Sequence, residues 1–177
     1  GLAALMHITR TASPSLVDTN LINFTLAPRL NAVGRLQKAN LAVELLLTES
    51  MDQATIWATE LESINRTRKI LCREAEEEAE KLLVKYYGRE QIPLILLIST
   101  KWHPGVLGII ATRLAQRYSC PVLLVRIWDD GVVRGSARSV PGIDIHSLLQ
   151  DQSALLNSLG GHAMAAGFTL ALENVPI

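Results

Sequence analysis

Aromatic residues, cysteine and histidine are all scarce in this chain, and it has no net charge. Phe, Trp and Tyr make up 5% of its 177 residues, and Cys72 and Cys120 are its two cysteines. The pair shows no CxxC spacing and no histidine at ligand distance. It reads as two reduced cytosolic thiols, which excludes a disulfide scaffold or a structural zinc site. The four histidines, His7, His103, His146 and His162, are scattered. The longest apolar runs, 93–98 and 121–125, fall far short of the roughly 20 residues a membrane-spanning helix needs. No basic-then-apolar leader opens the chain, so a cytoplasmic location without membrane contact is expected. Seventeen basic side chains against seventeen acidic ones exclude a wholesale basic coat of the kind that wraps nucleic acid.

What is present is ordinary for a globular protein: 49% hydrophobic and 19% charged residues, in a chain long enough to bury a core. The charge is unevenly placed. Up to residue 40, Arg10, Arg29, Arg35 and Lys38 face Asp18 alone, whereas 41–90 carries seven basic against eleven acidic residues. From 91 onward the balance is six against five, with Arg134 and Arg138 in a stretch containing glycine and serine. Any anion site must therefore be local and built from a few placed arginines.

Read in order, the opening segment has a short apolar-periodic piece (Leu2, Leu5, Met6), too brief for an independent helix, broken at Ser13-Pro14-Ser15. Residues 27–36, APRLNAVGRL, predict a kinked polar loop, because Pro28 removes a donor and Gly34 weakens a helix. Two guanidinium groups on such a loop suit phosphate contact or ordinary ion pairs. A helix is expected over 40–48 with Leu41, Leu45 and Leu46 inward. Ser50 and Gln53 then form a capping box for an uninterrupted helix over 51–87, closed by Gly88. Its apolar line is narrow (Ala54, Ala58, Leu61, Ile64, Leu71, Leu82 and Tyr86 among others). At 1.5 Å per residue it would run roughly 55 Å, long enough to connect two bodies.

After Gly88 the pattern becomes α/β. A buried strand at 94–99, a helix from Pro104 to Tyr118 and a strand at 122–128 predict a right-handed βαβ unit with parallel strands. Asp129-Asp130-Gly131 signals a hairpin, returning 132–136 antiparallel. Asp144 is placed to cap a helix over 145–159, which the glycines at 160–161 would end before a last strand at 168–172. The expected fold is a small mixed β-sheet with helices packed on it, preceded by the long connecting helix.

Three polar clusters stand at element ends, where functional groups collect. His103 follows the first strand directly. Ser136 and Arg138 share one face of an extended chain, a hydroxyl beside a guanidinium, as a phosphate clamp or as solvent-facing strand residues. In Gly160-Gly161-His162-Ala163-Met164-Ala165-Ala166-Gly167 the small residues suit a short helical turn whose free N–H groups face an anion, with His162 at its mouth. The plainer alternative makes Gly160 a helix cap and His162 a turn residue.

Four blocks, APRLNAVGRL at 27–36, WHPGVLGI at 102–109, GSARS at 135–139 and GGHAMAAG at 160–167, resemble, in this order, successive blocks of the RecJ family. These are single-strand-specific 5′→3′ DNA exonucleases of the DHH phosphoesterase superfamily. The resemblance covers almost the whole chain, and its C-terminal part is similar to the DHHA1 domain. Family members carry an N-terminal DHH domain that holds two divalent metals. This sequence has no Asp-His-His, and Asp129 and Asp130 fall in a turn, so no two-metal site can be assembled from it. The resemblance thus implies the C-terminal piece of a longer protein: an interdomain segment (1–50), the connecting helix (51–88) and a DHHA1-like domain (89–177). The absent DHH domain would hold Mn2+ or Mg2+ and activate water, leaving this piece inactive alone. Ser136 and Arg138, with Arg35 or Arg29 and with Asn31, would bind a 5′-terminal phosphate. His162 with the Gly160 and Gly161 backbone would contact the scissile phosphate, and His103 would lie near the same cleft. The implied partners are single-stranded DNA, the DHH domain of the same chain, and a single-strand-binding protein or helicase, in DNA repair and recombination. Two rivals stay open: a phosphodiesterase for short oligonucleotides or cyclic dinucleotides, and a non-catalytic DNA-binding scaffold.

Overall fold

Met51–Tyr87 forms one uninterrupted helix in the computed structural model, which describes residues 1–9, 17–88, 92–128 and 131–175. The predicted break at 13–15 and the first two turn residues, 129–130, lie outside the described residues. The chain divides into two compact units, Gly1–Ile70 and Leu71–Ile177. The long helix, α4, contributes residues to each.

In the first unit, α1 (Leu2–Ile8) is followed by a wide π-helical stretch (Leu21–Leu26) that leads into α2 (Ala27–Leu36), then α3 (Asn40–Leu47) and the first part of α4. The apolar-periodic opening piece does form a helix. It buries Ala4, Leu5 and Met6 in a core with Ala32, Val33, Leu45, Ala58 and Leu61, so tertiary packing supplies what so short a helix lacks. The loop predicted over 27–36 is also a helix. Pro28 falls in its first turn, directly after the π-helical stretch, and Gly34 near its end costs only about 1 kcal/mol. Leu46, expected inward, is exposed. At the start of α4 the Gln53 N–H donates to Ser50 Oγ at 3.3 Å, one half of the predicted capping box, while the Ser50 N–H donates to Thr48 Oγ1 at 3.2 Å in place of the Gln53 side chain.

In the second unit, strands β1 (Ile95–Ser99), β2 (Val122–Ile127), β3 (Val133–Arg138), β4 (Leu156–His162) and β5 (Ala165–Leu170) form one sheet in the order β1-β2-β3-β5-β4. β1 and β2 are parallel, joined by α5 (Pro104–Tyr118), and the remaining pairs are antiparallel. One face, through Leu97 and Leu124, packs on α5 and on Cys72, Ala75, Ala79 and Leu83 of α4. Of the predicted line of α4, which also ran through Ala75 and Ala79, those two are buried here and Leu71 and Leu82 pack partly buried beside them; Cys72 and Leu83 join the line, and Tyr86 is exposed. The opposite face, through Val125, Val133, Ala137 and Phe168, packs on α6 (Ile145–Gln150).

The helix predicted over 145–159 stops at Gln150, and the residues after a short 3-10 turn become β4. The misleading signal has a structural cause. Leu156 and Leu159 are three apart, a helical spacing, yet both pack on the α6 side of the sheet. A bulge between Leu156 and Ser158 makes this possible. The glycines therefore lie in a strand, not in a helix cap or a helical turn. His162 pairs with Ala165 across a two-residue turn, and the carbonyls of Ala163 and Met164 accept from the N–H groups of Ile145 and Ser139 at 3.0 and 2.9 Å. Among the described residues no helix is long and apolar enough to cross a membrane.

Candidate functional site

Directly paired residues of neighbouring antiparallel strands point to the same side of a sheet, and so do residues two apart along a strand. The register therefore puts three cross-strand rows on the α5 face of the second unit. Across β3, β5 and β4 they read Arg138–Ala165–His162, then Ser136–Gly167–Gly160, then Arg134–Thr169–Ser158. The middle row carries Ser136 at its β3 end and is otherwise a strip of bare backbone, with rows that hold polar side chains on either side. A Cβ built at Gly160 would meet nothing within 4 Å, and at Gly167 it would only graze the Gly135 carbonyl at 4.0 Å. The packing of the protein does not require glycine at these two positions.

Arg138 and Ser136 are joined directly, Arg138 Nη1 donating to Ser136 Oγ at 3.2 Å and to the Ala137 carbonyl at 2.7 Å. The guanidinium is half-buried because α5 passes over it at Gly108, where a Cβ would lie 2.6 Å from Arg138 Nη2 and 3.3 Å from Ser136 Oγ. Gly108 is thus a site residue that sequence reasoning did not single out, although a glycine inside a helix otherwise rich in Leu and Ile was the available signal. Beside Arg138 opens a groove of about 550 Å³, lined by Thr112, Gln116, Ser119 and Met164 among others.

His162 is exposed at the far side of the glycine strip. Its Nδ1 accepts the Met164 N–H at 3.3 Å, so a neutral ring carries its proton on Nε2, facing away from the turn. Gly161 serves the fold: its φ is 151°, and an added Cβ would overlap the Ala165 carbonyl.

His103 caps α5, its Nδ1 accepting the Gly105 N–H at 3.1 Å. Burial first, and the nearby Arg126 charge second, hold its pKa below the ordinary value. It lines a separate recess of about 170 Å³ with Glu74, Glu78 and Lys101, and no hydrogen bond among the described residues links it to Ser136 or Arg138.

The remaining predicted residues belong to the first unit. Arg35 and Asn31 are exposed on α2, one turn apart on the same side. Arg29 is largely buried, its Nε 2.5 Å from Glu62 and its Nη1 donating to the Thr25 carbonyl at 2.6 Å.

A family model described as the DHHA1 domain matches residues 80–176. The chain is 38% identical over 156 residues to the single-stranded-DNA-specific exonuclease RecJ of Bacillus subtilis, covering 88% of this chain and 20% of that protein. It is 36% identical over 176 residues to the RecJ of Salmonella typhimurium, covering 96% and 30%. Among solved structures, RecJ in complex with Mg2+ from Thermus thermophilus matches with a TM-score of 0.79 at 31% identity, over 96% of this chain and 25% of that one. An exonuclease RecJ bound to manganese matches with a TM-score of 0.76 at 32% identity, over 96% and 40%. The chain spans about a fifth to a third of the length of the curated relatives it matches.

Proposed function

Because the chain belongs to the DHHA1 domain family, we propose that it is the nucleic-acid-gripping part of a RecJ-like, metal-dependent 5′→3′ exonuclease specific for single-stranded DNA. The observation that carries this reading is the strip of glycine backbone between Ser136–Arg138 and His162 on one face of the sheet. A strand laid on it can bring its phosphates against the main chain, with cationic and hydroxyl donors on one side and an imidazole on the other.

The roles follow from the chemistry of each group. Arg138 presents a planar fork to a terminal phosphate, with Ser136 Oγ as a further donor. His162 donates from Nε2 to the phosphate being cut, where negative charge grows in the transition state, with the bare Gly160 backbone beside it. Arg35 and Asn31 offer phosphate contacts on the first unit's own surface. Arg29 is less suited, since its charge is already met by Glu62.

Among the described residues no three His, Cys, Asp or Glu side chains gather to hold a metal ion. We assign hydrolysis to a Mn2+- or Mg2+-bearing DHH domain of the parent protein, and no step passes through a metal held by these residues.

The test compares binding of 5′-phosphorylated and 5′-hydroxyl single strands by this chain. Charge-assisted hydrogen bonds are worth about 1.5–3 kcal/mol, so Arg138→Ala should cut the preference for the phosphorylated end roughly ten- to hundredfold. Arg138→Lys should lose much of it, because an ammonium cannot reproduce the fork. Gly108→Ala should lose it as well with the fold intact, since the displaced atom is the end of a flexible side chain. If the variants weaken both ends equally, Arg138 is a general backbone contact and the end-recognition reading fails.

A further inference from the structure

The third row, beyond the proposed clamp, has no role in the reading above and carries its own charge. Arg126 on β2 pairs with Arg134 on β3, so two guanidinium groups stand directly opposite one another. Like charges in that position destabilise a sheet unless something offsets them. Here the offset is aromatic: the Arg126 and Arg134 guanidinium carbons lie 4.6 and 5.6 Å from the centre of the Trp128 ring. Neither arginine has a carboxylate partner among the described residues. The acidic pair that follows Trp128 in sequence, Asp129 and Asp130, lies outside them.

Arg126 is anchored from behind, Nη1 donating to the Trp102 carbonyl at 2.5 Å, while its buried Nε has no hydrogen-bond partner among the described residues. Arg134 is exposed, and among the described contacts the Trp128 ring is its only one. The row continues into two hydroxyls, Ser158 Oγ and Thr169 Oγ1, 2.6 Å apart. A guanidinium held over an indole keeps its donor edge free, as Arg134 does here, and hydroxyls beside it add neutral donors.

We propose that this row, with Arg134 and Trp128 at its centre, is a second subsite for the sugar–phosphate backbone of a single strand. It rests on the reading of the glycine strip as the floor of a nucleic-acid track. Arg134 and Arg138 are four residues apart on one face of β3, about 14 Å at strand rise. A strand whose terminal phosphate sits at Arg138 and which runs over the exposed β5–β4 side of this face passes the glycine row and reaches Arg134 with a later phosphate. The first row then recognises the end, and the third retains the strand behind it.

Titration of the chain with 5′-phosphorylated thymidine octanucleotide and with the corresponding dinucleotide tests this, because only the longer strand reaches the third row. Arg134→Gln should weaken octanucleotide binding about fivefold at 0.1 M salt, reduce the magnitude of the salt slope by about 0.7, and leave the dinucleotide within about twofold. Trp128→Leu, which removes the surface holding both guanidinium groups, should act in the same direction, with thermal melting checking that the fold survives. An unchanged octanucleotide affinity in Arg134→Gln, or an equal loss for both lengths, would overturn the subsite. A silent Arg134→Gln beside a wild-type preference for 5′-phosphate sinks the subsite and leaves the clamp standing. A length-specific Arg134 effect with no preference for 5′-phosphate supports the subsite and sinks the clamp. Absence of binding by the wild-type chain overturns both.

Discussion

Gly160 and Gly161 are neighbours with opposite duties. Gly161 sits at φ 151°, and a methyl group there would overlap the Ala165 carbonyl of the paired strand. Gly160 points its missing side chain into open space above the sheet. A strained backbone position of this kind costs about 1–3 kcal/mol for a residue with a Cβ, so Gly161→Ala should lower the melting temperature by several degrees. Gly160→Ala should melt near the wild type yet bind single-stranded DNA more weakly, because its methyl group stands where the strand lies. Melting curves and binding titrations on both variants separate the duties. Wild-type binding by Gly160→Ala would remove the glycine floor from the site. Arg29 and Arg138 are anchored differently: the first pairs with Glu62 at 2.5 Å, and the second donates to the Ser136 hydroxyl and the Ala137 carbonyl.

At the scale of elements, α5 orders the site. Its glycine at 108 lets Arg138 lie beneath it, and its cap is an imidazole. Cap function requires His103 Nδ1 to accept the Gly105 N–H, which a protonated ring cannot do. Burial and the Arg126 charge lower the His103 pKa from its ordinary 6.5. Below about pH 6.5 the unfolded chain therefore binds more protons than the folded one. The stabilisation is complete above that pH and is lost as pH falls. Asparagine caps helices without titrating, so His103→Asn should retain the helix and show a shallower fall in melting temperature between pH 7.5 and 5.5. Parallel profiles for the two proteins would exclude this account. β4 teaches a different lesson. Its Leu156–Leu159 spacing reads as helical, and a bulge turns the same spacing into a strand face.

Across the whole molecule the net charge is zero, so binding to a polyanion rests on a few arginines and not on a field. Each phosphate contact on a single strand contributes about −0.7 to the slope of log affinity against log salt, and three or four contacts give a total magnitude of about 2 to 3. Affinity measured from low to moderate salt checks this. Tight binding indifferent to salt would mean that stacking dominates. The sheet order β1-β2-β3-β5-β4 is what makes so few cations sufficient, because it sets β3 beside β5 and so brings residues 134–138 against 158–169.

Much of this was legible in the amino-acid order alone. The 37-residue helix, the parallel β1-α5-β2 unit and the antiparallel return of β3 all follow from local signals: an uninterrupted apolar period, Pro104 in the first turn of α5, and a turn sequence between two apolar runs. The pairing of Ser136 with Arg138 was legible too, since residues two apart share a face on any strand. Tertiary structure decided what depends on contacts remote in sequence. Residues 27–36 became a helix because their apolar side was buried against other helices of the first unit. The glycine-histidine block became a hairpin strand because β5 offered an edge, and Ile145 and Ser139 held its turn. Only that pairing turned two glycines, a hydroxyl and an imidazole into one surface, since register is a property of two strands and is written in neither by itself.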